Sequence, residues 1–236
     1  MTDGSGVVLF GDVVGSRRDA AASTAWLRDL VHELDEAYGE ERLALFGFTR
    51  GDELQGVLDP RADPLTAILR AALRPGGYRM RWVVVLGAVD VDSTDGKAPA
   101  TECTGPAFLA ARTAIEGARA SHDRLVIDTG RAEVDALLAD LTPALVDSLD
   151  GLTERQRTVA RLALIDDLRQ SEVADRLNVR RATISVAFSR AHVRPLQRLV
   201  AGIRRVYSSG SDSDVPNPAA RSEPEERRAG SGAATE

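Results

Sequence analysis

The run Gly6-Val7-Val8-Leu9-Phe10-Gly11 is apolar throughout and then meets one carboxylate, Asp12. A continuous apolar run of this length reads as one buried strand. A bare carboxylate on a buried strand is costly unless a cation neutralises it. Val13-Val14-Gly15-Ser16-Arg17-Arg18 comes next, a turn with backbone donors and two cations. A strand that runs into Gly-Ser can present N–H groups to a phosphate. Two readings stand side by side. In one, Asp12 holds a metal while Gly15, Ser16 and Arg17 meet a phosphate ligand. In the other, Asp12 caps the next turn.

From Ser23 to Asp128 the chain alternates between helical and strand periods. Trp26, Leu27, Leu30, Val31, Leu34 and Tyr38 recur at helical spacing, with Ser23-Thr24 as the expected cap. Leu43–Phe48 and Glu53–Leu58 read as two strands joined at Thr49-Arg50-Gly51-Asp52, a hairpin. Pro64 opens a second helix that Pro75-Gly76-Gly77 ends. Arg81–Gly87 is a fourth, central strand. Residues 90–105 read as a loop, Thr104-Gly105-Pro106 starts a helix to Ser121, and Arg124–Asp128 is a fifth strand. Residues 131–141 suggest one more helix. The order strand–helix–strand–strand–helix–strand, with additions, predicts a ferredoxin-like α+β domain. Its sheet is mainly antiparallel with helices on one face.

Near Asp147–Gly151 the pattern turns all-helical. Thr153-Glu154-Arg155-Gln156 is a capping box with Leu152 as its staple. Ser171 is the expected cap of a short helix, Asn178 has the residue type for a left-handed turn, and Arg180–Arg190 forms the next helix. Two short helices joined by a tight turn predict a helix-turn-helix. By spacing Val179, Ile184 and Phe188 point inward. That leaves Arg181, Ala182, Thr183, Ser185, Val186 and Ser189 for a major groove, and Arg180 and Arg190 for phosphates. The alternative is a helical module for protein partners. The domains are therefore expected at 1–148 and 149–207, with a disordered, nearly apolar-free tail over 208–236.

Charge supports that division. Residues 1–150 carry 15 Lys+Arg against 25 Asp+Glu, whereas residues 151–207 carry 12 Arg against 5 Asp+Glu. A basic segment in an acidic chain points to duplex DNA as partner. No apolar run approaches a membrane span, and the first residues carry no basic leader, so the cytoplasm is the expected compartment and no membrane partner is expected. Cys103 is alone and the three histidines are scattered, which speaks against disulfides and zinc. Cys103, Trp26 and Trp82 are assigned to packing.

Asp12 at one strand end and Asp52 at the hairpin can meet at one sheet edge, beside Glu53. Such a pair suits magnesium or manganese. Arg112 falls on the apolar stripe Phe108, Ala111, Ile115 and Ala118. It either pairs with phosphate or carboxylate there, or lays its stem on the core and reaches solvent.

The motifs GDVVGSR, GDELQ and GPAFLAARTAIEGA, in this order over residues 6–130, resemble the SatD family of bacterial proteins. The same segments resemble, more distantly, the class III nucleotidyl cyclase domain. That resemblance implies metal ligation by Asp12 and Asp52 and a transition-state role for Arg112. The chain departs from it at Phe108, where cyclases carry Asn, and at Phe48, where they carry a base-reading Lys. A nucleotide-like or phosphate ligand is the implied remainder. Cyclase-like domains pair head to tail, so a homodimer is expected. Residues 152–207 resemble the fourth conserved region of sigma factors and response-regulator helix-turn-helix domains. Three functions are open: a DNA-binding regulator that senses a ligand or dimerises, a metal-dependent nucleotidyl or phosphoryl transfer enzyme with a DNA-binding tail, and a dimerisation scaffold.

Overall fold

The computed structural model describes residues 2–16, 19–49, 53–91 and 97–209. Strands β1 (Thr2–Val13), β2 (Arg42–Phe48), β3 (Glu53–Leu58), β4 (Met80–Val91) and β5 (Leu125–Asp128) form one sheet in the order β2-β3-β1-β4-β5. The first three neighbouring pairs are antiparallel, and β4–β5 is parallel. Helices α1 (Ala20–Tyr38), α2 (Leu65–Ala72), α3 (Pro106–Ser121) and α4 (Ala132–Asp150) interleave with the strands. Then come α5 (Glu154–Leu164), α6 (Gln170–Arg176), α7 (Arg181–Arg190) and α8 (Val193–Ser209). The molecule is thus α+β, with a mixed, mainly antiparallel sheet.

The expectation of helices on one face is corrected. β1 is apolar on both sides of its pleat. Val7 and Leu9 join a core with α1, α2, α4 and α8, whereas Val8 and Phe10 join a second core under α3. Alternate residues of one strand face opposite ways, and β4 divides likewise into Val84 and Leu86 against Val83 and Val85. Two apolar faces need two covers, and α3 is the second. Trp26, Trp82 and Cys103 are buried, as expected.

Several boundaries move for local reasons. α1 starts before Ser23-Thr24, because Asp19 accepts from the Ala22 N–H at 3.2 Å while both hydroxyls bond back to the Ala20 carbonyl. α4 does not stop at 141 but continues through Pro143 to Asp150. An interior proline costs about 3 kcal/mol; here Leu138, Thr142, Leu145 and Leu149 form one buried stripe across it, which offsets that cost. Ser171 lies inside α6; the N-cap is Arg169, whose N–H donates to the Glu172 carboxylate at 2.7 Å. The tail's first residues, Ser208 and Ser209, are helical. The tight turn at Arg50–Asp52 and the tail from 210 onward lie outside the described residues. The Thr153/Gln156 capping box and the left-handed Asn178 (φ 50°) are as expected.

The helical segment has its own small core of Val159, Val173, Ala174, Ile184 and Phe188. It is also tied back: Leu196, Val200, Ile203 and Tyr207 of α8 and Ala160 of α5 belong to the same apolar cluster as α1, α2 and α4.

One strand position shows how tightly the sheet edge is packed. A Cβ on Gly56 would lie 2.2 Å from Cε1 of Phe46, whose ring stacks on Tyr38 at 5.6 Å. Gly56→Ala is expected to lower stability by about 1–3 kcal/mol through overpacking. A urea midpoint matching wild type would show that Phe46 can move aside.

Candidate functional site: a charged layer under α3 and the exposed face of α7

The sheet face beneath α3 changes character at one end, and the two-residue period says where. Along β1 its residues are Val8, Phe10 and Asp12. Along β3 they are Val57, Gln55 and Glu53, and along β4 Val85, Val83 and Arg81. Register aligns them: Val8 stands between Val57 and Val85, Phe10 between Gln55 and Val83, and Asp12 between Glu53 and Arg81. An apolar layer thus passes through a mixed one into a fully charged one.

α3 closes the layer from above. Phe108, Arg112, Ile115 and Arg119 recur at helical spacing on the side toward the sheet. The Asp12 carboxylate, buried, accepts from Arg81 Nη1 at 2.8 Å and from Arg119 Nε at 3.0 Å, both on Oδ2. Arg119 reaches on through Nη2 to Glu53 Oε2 at 3.5 Å. Gln55 donates to Glu53 Oε1 at 3.0 Å. Arg81 is fixed at its other side by donating from Nε to the Asp123 carbonyl. Arg112 sits at the rim. Its guanidinium lies 5.6 Å from the Phe10 ring centroid and 4.0 Å from Glu53 Oε1, with its side chain 57% exposed. Both readings of Arg112 therefore meet in one residue: its head reaches solvent, and it also faces a carboxylate and an aromatic face.

The need for a cation beside Asp12 is met by two arginines. Among the described residues two carboxylates face three guanidiniums here, and no group of three or more His, Cys, Asp or Glu is placed to hold a metal ion. Those residues do not fit a divalent cation as they stand; a dication at Asp12 would meet two positive charges already on its oxygen. Asp52, the expected second ligand, and Arg17 lie outside the described residues. Gly15 and Ser16 form the turn after β1, with Gly15 at φ 77°. Arg81 and Arg119 were not singled out from the sequence. The available signals were an arginine heading an apolar strand, and a second arginine seven residues after Arg112, two turns along the same helix.

The second candidate surface is α7. Ile184 and Phe188 are buried and anchor one side. Arg180, Arg181, Thr183, Ser185, Ser189 and Arg190 are all exposed, and Val186 is half exposed among them. α6 and α7 are joined by a turn in which the Val179 N–H donates to the Ala174 carbonyl at 3.0 Å. The basic residues of the segment fall into two groups. Arg157, Arg161 and Arg204 are held against the α/β part, by the Ala72 carbonyl, Glu33 and Asp63 respectively. The arginines on and beside α7 stay at the surface.

This α+β chain belongs to the SatD family, whose model matches residues 7–187. The match runs beyond residue 130, where the resemblance read from the sequence ends, and includes α6 and most of α7. A search of curated proteins finds no match. No helix among the described residues is long and apolar enough to cross a membrane.

Proposed function

We propose that this SatD-family chain is a DNA-binding transcriptional regulator whose N-terminal part takes a phosphate-bearing, nucleotide-like ligand. The observation that carries the reading is the division of α7 into a buried side, Ile184 and Phe188, and an exposed side of arginines, hydroxyls and Val186. An exposed helix with that chemistry, following a short helix and a tight turn, suits major-groove reading as a helix-turn-helix. Val186 offers the apolar contact that a thymine methyl takes. The strand order and directions support a ferredoxin-like, cyclase-related core with β5 added in parallel.

The half-exposed Arg112 beside Arg119 supports the ligand part, because guanidinium forks match phosphate oxygens. The departures at Phe48 and Phe108 and the arginine-filled Asp12 layer favour binding over nucleotide cyclisation. A homodimer completes the proposal, since a two-fold dimer presents paired helices to a palindromic site. Fluorescence anisotropy of the full chain on duplex DNA tests it. Binding is expected to weaken steeply with salt as counterion release fades, and light scattering is expected to give twice the chain mass. Binding that is absent at low salt overturns the DNA reading.

A further inference from the structure

The Asp12–Glu53 pair lies at the end of a sheet face, where a bridging cation is required. Arg119 already bridges it, with Nε 3.0 Å from Asp12 and Nη2 3.5 Å from Glu53. Arg81 adds a second guanidinium at 2.8 Å from the same Asp12 oxygen. A divalent ion on these two carboxylates would have to expel Arg119 and then sit against Arg81, which the β4 register and the Asp123 carbonyl hold in place. Like charges at such separations repel strongly where water is excluded. The side chains of Asp12, Glu53 and Arg81 are nearly closed off, at 8%, 13% and 12% exposure. Outward from them come Arg119 at 41% and Arg112 at 57%. Among the described residues the cluster thus has a neutralised interior and an outer rim formed by the Arg112 and Arg119 guanidiniums.

We infer that Arg119 is the resident bridging cation of this site, and that the site binds a phosphate-bearing anion at its Arg112–Arg119 rim without a divalent metal. The inference rests on the proposed ligand reading and sharpens it, because it assigns to an arginine the role that the sequence suggests for magnesium or manganese. It makes the Asp12 carboxylate a positioning residue that orients Arg119 rather than a metal ligand.

Two measurements on the full chain separate the inference from the reading beneath it. In the first, manganese is titrated into wild type and free aqueous manganese is followed by electron paramagnetic resonance. No depletion of the free signal is expected from wild type. Arg119→Gln is expected to deplete it, because Asp12 and Glu53 then face fewer cations, whereas Arg119→Lys is not. Depletion by wild type that Asp12→Asn abolishes overturns the inference, whether or not Arg119→Gln folds. In the second, inorganic pyrophosphate is titrated by calorimetry in EDTA. Binding in EDTA that weakens at least tenfold in Arg112→Ala supports the inference. Binding only when magnesium is present overturns it and leaves the ligand reading standing. Absence of binding in both conditions overturns the ligand reading, and the manganese titration then decides the role of Arg119 alone.

Discussion

A chain carrying Arg180→Ala and Arg181→Ala is expected to bind duplex DNA at least about 30-fold more weakly than wild type at matched salt. An arginine that reads a base edge is worth about 1–3 kcal/mol, and a phosphate contact adds to it; 1.4 kcal/mol corresponds to about tenfold in affinity. Both side chains are exposed, and Ile184 and Phe188, which hold α7 in place, are untouched. The loss is therefore expected with an unchanged circular dichroism spectrum and denaturation midpoint. The salt slope is expected to become shallower by about one for each phosphate contact removed. Arg157→Ala is the informative contrast. That residue donates to the Ala72 carbonyl and the Leu152 carbonyl, inside the molecule. Its removal is expected to cost stability with little change in the DNA affinity of the folded chain. Wild-type affinity in the double variant would place the DNA surface elsewhere or nowhere.

The contrast between Arg157 and Arg181 marks the limit of the sequence. Twelve arginines crowd residues 151–207, and composition treats them alike. Only the docking of α5 and α8 on the α/β core decides which are internal ties and which are left for a partner. Strands and the capping box were legible because they depend on short-range period and side-chain chemistry. The length of α4 was not, since Pro143 is a local stop signal that a long buried stripe overrides. The cover on both sheet faces was implicit in the unbroken apolar runs of β1 and β4, more informative than the order of elements. Asp12 was legible as a carboxylate in need of a cation. The identity of that cation was not, because Arg81 and Arg119 reach it from 69 and 107 residues away. Register and helix placement bring them there, and neither is encoded in a local motif.

Glu33→Ala is expected to destabilise the chain by about 3 kcal/mol, the scale for removing one partner from a largely buried ion pair. Glu33 lies on α1 with its side chain 17% exposed and gathers three guanidiniums. Arg70 of α2 stands at 3.1 Å, Arg74 just beyond α2 at 2.5 Å and Arg161 of α5 at 2.6 Å. Burial pushes its carboxyl up, and the hydrogen bonds and charges of Arg161, Arg70 and Arg74 outweigh that, holding it below the usual glutamate range. A carboxyl with a depressed folded value contributes stability that is complete above the ordinary glutamate range and is lost as the pH falls through the folded value. The difference between wild type and Glu33→Ala should therefore shrink on acidification. Without the carboxylate, three clustered guanidiniums repel one another, and α5 loses its tie to α1. Since α5 packs directly on α7 in the small helical core, the loosened tie is expected to raise hydrogen exchange in α5 before it does so in the sheet. Glu36→Ala is the control, because Glu36 pairs with His32 at a site where both side chains are mostly exposed, 70% and 79%; such surface pairs contribute about 0–1 kcal/mol. Equal denaturation midpoints for Glu33→Ala and Glu36→Ala would mean that the three arginines find water as good a partner as Glu33, and that apolar contacts alone dock the helical segment.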